Sequence, residues 1–149
     1  MFTTKTMKLM GVKAQGSLER ESKIALSRLE HVLAQAERLE KDVTTWSEAA
    51  EMTGRVSEGG VVDQLDELMI DIGETKLGDR QLYNLVVKAK RLLSEFYLIA
   101  IEYALHGFDD KGGKKYQYPR DLDRSHIRPA LEVLEEAVDN LDGFIESTF

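Results

Sequence analysis

The sequence predicts an all-α fold: a four-helix, mostly antiparallel bundle with one long heptad-bearing helix. Three observations carry this. Only two prolines occur in 149 residues, among many Ala, Leu, Glu, Lys and Arg, a composition that favours helix. Apolar residues recur at alternating steps of three and four in four separate stretches, which is the period of a helix face. Glycines punctuate the ends of those stretches, as helix stops do.

The central element is predicted over Asp79–His106. Its stripe is Leu82, Leu85, Ala89, Leu92, Phe96, Ile99 and Tyr103. Toward its end the run Phe96 to Ile101 is apolar throughout, so this half has neighbours on more than one side. A membrane span needs about 20 predominantly apolar residues. Lys88, Lys90, Arg91, Glu95 and Glu102 interrupt here, which excludes a span. Asp79 is the expected N-cap and Gly107 the glycine that ends the helix.

The first long helix is predicted from Ser17 to Thr53. Leu18, Ser22, Ala25, Leu29, Val32, Ala36, Leu39, Val43, Trp46 and Ala50 form a sustained heptad seam. At about 1.5 Å per residue it would be roughly 55 Å long against roughly 42 Å for the central helix. It therefore either breaks, with Asp42–Thr45 the weakest point, or projects beyond the bundle. A shorter helix follows over Gly60–Ile72, on Val61, Leu65, Leu68 and Ile72, with Gly73 as its stop. The last runs from Asp123 to Thr148 on Ile127, Leu131, Leu134, Val138, Leu141 and Ile145, with Pro129 in its first turn, where a missing N–H costs little. Residues 1–16 are read as a basic, flexible N-terminal arm and 17–149 as one helical-bundle domain. Residues 107–122 form a long loop containing Gly112, Gly113 and Pro119. A loop of that length in a small domain is usually functional or disordered.

Composition narrows the functional classes. The chain has no cysteine, so it has neither a disulfide framework nor thiolate chemistry. The first residues lack the apolar core of a signal peptide, and a soluble, cytoplasmic protein is expected. The net charge of −7 argues against bulk nucleic-acid binding, but the charge is unevenly placed. Lys5, Lys8 and Lys13 stand in the first 16 residues without an acid. Lys111, Lys114, Lys115, Arg120, Arg124 and Arg128 crowd the loop and the start of the last helix. After Arg128 come six acids (Glu132, Glu135, Glu136, Asp139, Asp142 and Glu146) and no base. Surfaces of opposite sign follow from this.

The basic loop is the first site candidate. Lys111, Lys114, Lys115, Arg120, Arg124 and Arg128 can neutralise phosphates, while Tyr116 and Tyr118 offer faces for base stacking. A solvated loop, or one that docks an acidic neighbour, is the structural alternative. Arg120 and His126 add an Arg-x5-His spacing just ahead of an amphipathic last helix. This resembles the Arg-x4–6-His signature of HEPN-type ribonucleases, in which His and Arg of two protomers meet and cleave RNA. The resemblance implies proton transfer by His126 and stabilisation of developing phosphorane charge by Arg120. The family's polar residue after the arginine is here the anion Asp121.

Other chemistry has weaker support. Glu102 and His106 lie four apart on the central helix and share a face, and His31 and His126 are the remaining histidines. Without a Glu-x-x-His pair, a helix-terminal histidine is the better reading of His106, and neither metal nor cofactor is expected. Glu37/Glu40 and Glu132/Glu135/Glu136/Asp139 lie largely off the apolar seams, as solvated acids do. No Ser-His-Asp arrangement, phosphate loop or dinucleotide-binding glycine pattern is present. Trp46 lies on the heptad seam, and core or interface is its default role.

Assembly has the strongest signal. Acids are unfavourable near a helix C-terminus, yet the last helix carries Glu135, Asp139, Asp142 and Glu146 without a base. A neighbouring subunit's Lys5/Lys8/Lys13 arm would compensate them. The expected function is a non-catalytic assembly or adaptor subunit, acting through protein partners in a homo-oligomer or larger complex. Nucleic-acid engagement through residues 111–128, with HEPN-like RNA cleavage as its catalytic form, is the alternative.

Overall fold

In the computed structural model the backbone is described for residues 4–54, 60–106 and 116–149, and side chains from Gly16 onward within these ranges. The described residues are all-helical, with five α-helices and no strand. They are α1 (Thr4–Lys41), α2 (Trp46–Thr53), α3 (Val61–Thr75), α4 (Leu82–His106) and α5 (Arg128–Thr148). A 3-10 turn, Pro119–Leu122, and a π turn, Asp123–Ile127, lead into α5.

The first helix starts earlier than expected. α1 begins at Thr4 rather than Ser17, so the backbone of residues 4–16 is helical and continuous with the rest of α1. Gly11 and Gly16 each cost only about 1 kcal/mol inside a helix, too little to stop one. The helix ends at the predicted weak point. Thr44 and Thr45 are β-branched and favour extended backbone. Thr45 is extended, and its Oγ1 accepts from the Glu48 N–H at 3.2 Å, capping α2. The predicted single helix is therefore two. From Ser22 to Ala50 the seam is buried within the chain itself.

Gly54 and Gly60 close the next connection. A Cβ on Gly60 would collide with the Gly54 carbonyl, so both backbones approach as only glycine allows. Gly73 does not stop α3. The helix continues to Thr75 and ends where Lys76 turns left-handed, at φ 56° and ψ 47°, donating its N–H to the Ile72 carbonyl at 2.9 Å. That turn sends Leu77 into the core. Gly78 follows with φ 73°.

The deepest line of α4 is Leu82, Val86, Ala89, Leu93, Phe96 and Ala100. It is offset from the predicted stripe, whose Leu85, Leu92, Ile99 and Tyr103 are half-buried beside it. The offset arises because α4 is packed by α2 and α3 on one flank and α5 on another. Contacts fix the directions. Trp46 stacks on Tyr103 at 4.9 Å, and Asp66 pairs with Lys90 at 2.6 Å, so α2 and then α3 run antiparallel to α4. His126 lies 3.5 Å from Glu95 while Asn140 accepts from the Asp79 N–H at 3.1 Å, so α5 runs antiparallel to α4 as well. Arg28–Asp71 and Gln35–Gln64 contacts set α1 antiparallel to α3. No helix of the described residues is long and apolar enough to cross a membrane.

Candidate functional site

The sequence places its candidate residues on the approach to α5, and the fold builds a polar junction there. Pro119 and Leu122 anchor the 3-10 turn in the core. Asp121 closes it by accepting the backbone N–H groups of Gln117 at 2.8 Å and Tyr118 at 3.0 Å. These bonds from Tyr118 and Gln117 hold the Asp121 carboxyl below its ordinary value of 3.8, since they favour the anion. The last four residues of the predicted loop are thus an ordered turn. Lys111, Lys114 and Lys115 lie outside the described residues.

The π turn then carries Asp123, Arg124, Ser125 and His126 before Ile127 drops into the core. Such single π turns interrupt a helix at an energetic cost and are frequent at functional sites. Here the turn points polar groups at two neighbouring helices. Toward α4, the His126 Nε2 lies 3.5 Å from Glu95 Oε2. Its Nδ1 lies 2.7 Å from Ser125 Oγ. The His126 side chain is 15% exposed. Ser125 Oγ also donates to the Leu122 carbonyl at 3.4 Å, so the donor in the Ser125–His126 contact depends on the imidazole tautomer. This Ser–His–Glu line was invisible in the sequence, because Glu95 belongs to another helix.

Toward α1, Arg128 Nη2 donates to Glu40 Oε1 at 2.5 Å. The Glu40 side chain is 17% exposed and that of Arg128 48%. Asp123 faces the same glutamate. The Asp123 side chain, then burial, then the Asp123 charge push the Glu40 carboxyl above its ordinary value of 4.5, while Arg128 pulls it down. Glu40 Oε2 and Asp123 Oδ1 are both buried and lack a donor. Two ionised carboxylates offer only acceptors, so this pair closes only when a proton sits between them. The sequence assigned Glu40 to a solvated acidic face; instead it ties α1 to the start of α5.

The remaining candidates separate. Arg120 and Arg124 are exposed and make no salt bridge with a described residue. The Arg120 guanidinium lies 5.8 Å from the centre of the half-exposed Tyr118 ring. Tyr116 instead turns inward and meets Tyr103 edge-on at 5.9 Å. It therefore packs rather than offering a stacking face. Glu135, Asp139, Asp142 and Glu146 line the exposed side of α5, and Arg80 from the α3–α4 turn lines one groove with Asp139 and Asn140. A base from the same chain thus already stands beside part of the acidic row. The side chains of Lys5, Lys8 and Lys13 lie outside the described ones. Glu102, His106 and His31 are exposed. Among the described residues no three His, Asp or Glu side chains converge as metal ligands do.

The sequence also missed a surface on α4. Leu98 is 63% exposed and Leu105 72%. They lie seven residues apart on one outer face with Ile101 half-buried beside them. No family model, curated protein or solved structure matches the chain.

Proposed function

We propose that the chain is a non-catalytic assembly or adaptor subunit that acts through a protein partner docked on the outer face of α4. The observation that carries this is the exposed Leu98/Leu105 pair on a helix whose other faces are buried. Removing such side chains from water is worth about 1.5–3 kcal/mol each when burial is complete, and surface leucines in register are what a docking partner uses. The fold is read here as a four-helix bundle in which α2 and α3 in series form the rod opposite α4. The heptad seam of α1 serves as its internal packing face, and the protein is taken to work in the cytoplasm.

The test is the mass of the purified protein in solution by light scattering, with absorbance at 260 nm checked for bound nucleic acid. A defined oligomer free of nucleic acid, which falls to monomer in Leu98→Asp/Leu105→Asp, supports the reading. An oligomer indifferent to both substitutions refutes it.

A second reading is nucleic-acid engagement, with RNA cleavage as its catalytic form. It is favoured by Arg120, exposed beside Tyr118 on the 3-10 turn, by Arg124, exposed on the π turn that follows, and by the engagement of the Asp121 charge with backbone N–H groups. RNA binding that weakens with salt and on Arg120→Ala/Arg124→Ala supports binding, and cleavage lost in His126→Ala supports an enzyme. Absence of binding at low salt removes this reading.

A further inference from the structure

The outer face of α4 is not only apolar; its charge changes sign along its length. Lys88 and Arg91 stand on its first half, and Glu95, Leu98, Glu102 and Leu105 on its second. All six are exposed and follow at steps of three and four, so they form one continuous line on the helix. Neither Lys88, Arg91 nor Glu102 makes a salt bridge with a described residue. Glu95 leans toward His126 at one edge.

We propose that the partner on this face is a second copy of the chain, paired antiparallel through α4 about a two-fold axis between Phe96 and Tyr97. This rests on the reading that α4 is the docking surface and names its occupant. A two-fold axis makes each contact twice, with the same patch used on both sides. With the axis at that position Arg91 of each copy lies opposite the other's Glu102. Lys88 lays its aliphatic stem toward the second copy's Leu105, with its ammonium left in water. Each Leu98 lies opposite the other copy's Glu95, so the two Leu98 and the two Glu95 are both diagonal neighbours across the axis. A parallel pairing would set Lys88, Arg91 and Glu102 each against itself, with like charges face to face. The charge order along the helix therefore selects both the partner and its direction.

The experiment is sedimentation equilibrium on the full chain, wild type and four variants, at low and high salt. The wild type is expected to be a dimer that weakens with salt, because the flanking pairs are exposed and screened. Arg91→Glu and Glu102→Arg are each expected to raise the dissociation constant about tenfold, through two repulsive pairs of the size typical of surface charges. The double variant Arg91→Glu/Glu102→Arg restores opposite charges and is expected to return within about twofold of wild type by the same pairing. Leu98→Asp/Leu105→Asp is expected to be monomeric. All four positions are exposed, and circular dichroism verifies that each variant is folded. A dimer lost in the leucine variant but unaffected by the single charge reversals, or not restored by the double one, overturns the antiparallel register and leaves α4 as the docking face. A wild-type monomer overturns the second copy as the occupant, and a dimer that survives the leucine substitutions overturns both.

Discussion

Replacing Asp123 with asparagine should stabilise this protein at neutral pH, although it deletes a charge from a polar junction. Glu40 Oε2 and Asp123 Oδ1 are buried without a donor, and Arg128 already serves Glu40 Oε1. An asparagine amide brings the missing donor to Glu40 Oε2 and removes a like charge. An unsatisfied buried acceptor costs about 1–3 kcal/mol, and a hydrogen bond to a charged group is worth about 1.5–3 kcal/mol. Glu40 retains 17% side-chain exposure and Arg128 48%, so water already offsets part of this. The expected net gain is about 1 kcal/mol, or about 3 °C in melting temperature for a chain of this size. The effect depends on pH with a definite sign. Folded Glu40 holds its proton above the unfolded value of 4.5. Its contribution is whole below pH 4.5 and is lost as pH rises through the folded value. The gap between Asp123→Asn and wild type should therefore be smallest below pH 4.5 and widen toward neutrality. Urea and thermal unfolding followed by circular dichroism across that range measure it. Glu40→Gln is the comparison: it also removes the like-charge pair but weakens the Arg128 contact, and should gain less. An Asp123→Asn variant that melts lower at neutral pH, or a pH profile parallel to wild type, refutes the account.

Two further outcomes follow from the same structure. Phe96→Ala should destabilise by about 3–5 kcal/mol in urea titrations, because the ring is fully buried at the centre of α4. An effect under about 2 kcal/mol would mean that the surrounding helices collapse into the space. The Asp121 carboxyl, lowered by the Tyr118 and Gln117 N–H groups, stabilises the turn above its unfolded value, and that contribution is lost as pH falls through the folded one. A carbon-detected titration should place its midpoint below 3.8, and the amide exchange of Gln117 and Tyr118 should accelerate in Asp121→Ala.

Much of the fold was legible because apolar spacing is local. Val61, Leu65, Leu68 and Ile72 are the buried line of α3, and Ile127, at the end of the π turn, continues into Leu131, Leu134 and Leu141 of α5, as their steps require. Pro129 sits in the first turn of α5. The break before Trp46 was also readable, since Thr44 and Thr45 favour the extended backbone that Thr45 adopts. Local signals failed where two influences competed. Gly73 looked like a boundary, but one glycine costs less than the packing and hydrogen bonds of a continued helix contribute.

By itself the sequence determined that this chain is helical, where most of its helices run, and that its charge is divided between a basic approach to α5 and an acidic outer side. Those properties depend on neighbours three or four residues away. The tertiary structure decided which polar groups meet. Glu40 reaches Arg128 and Asp123, and Glu95 reaches His126, across 88 residues in the first case. It also decided which apolar residues stay in water. Leu98 and Leu105 look like core on a helix apolar nearly all round, and only the placement of α2, α3 and α5 around α4 leaves them outside. A residue's period fixes the face it shares; which face is covered depends on helices that the period does not place.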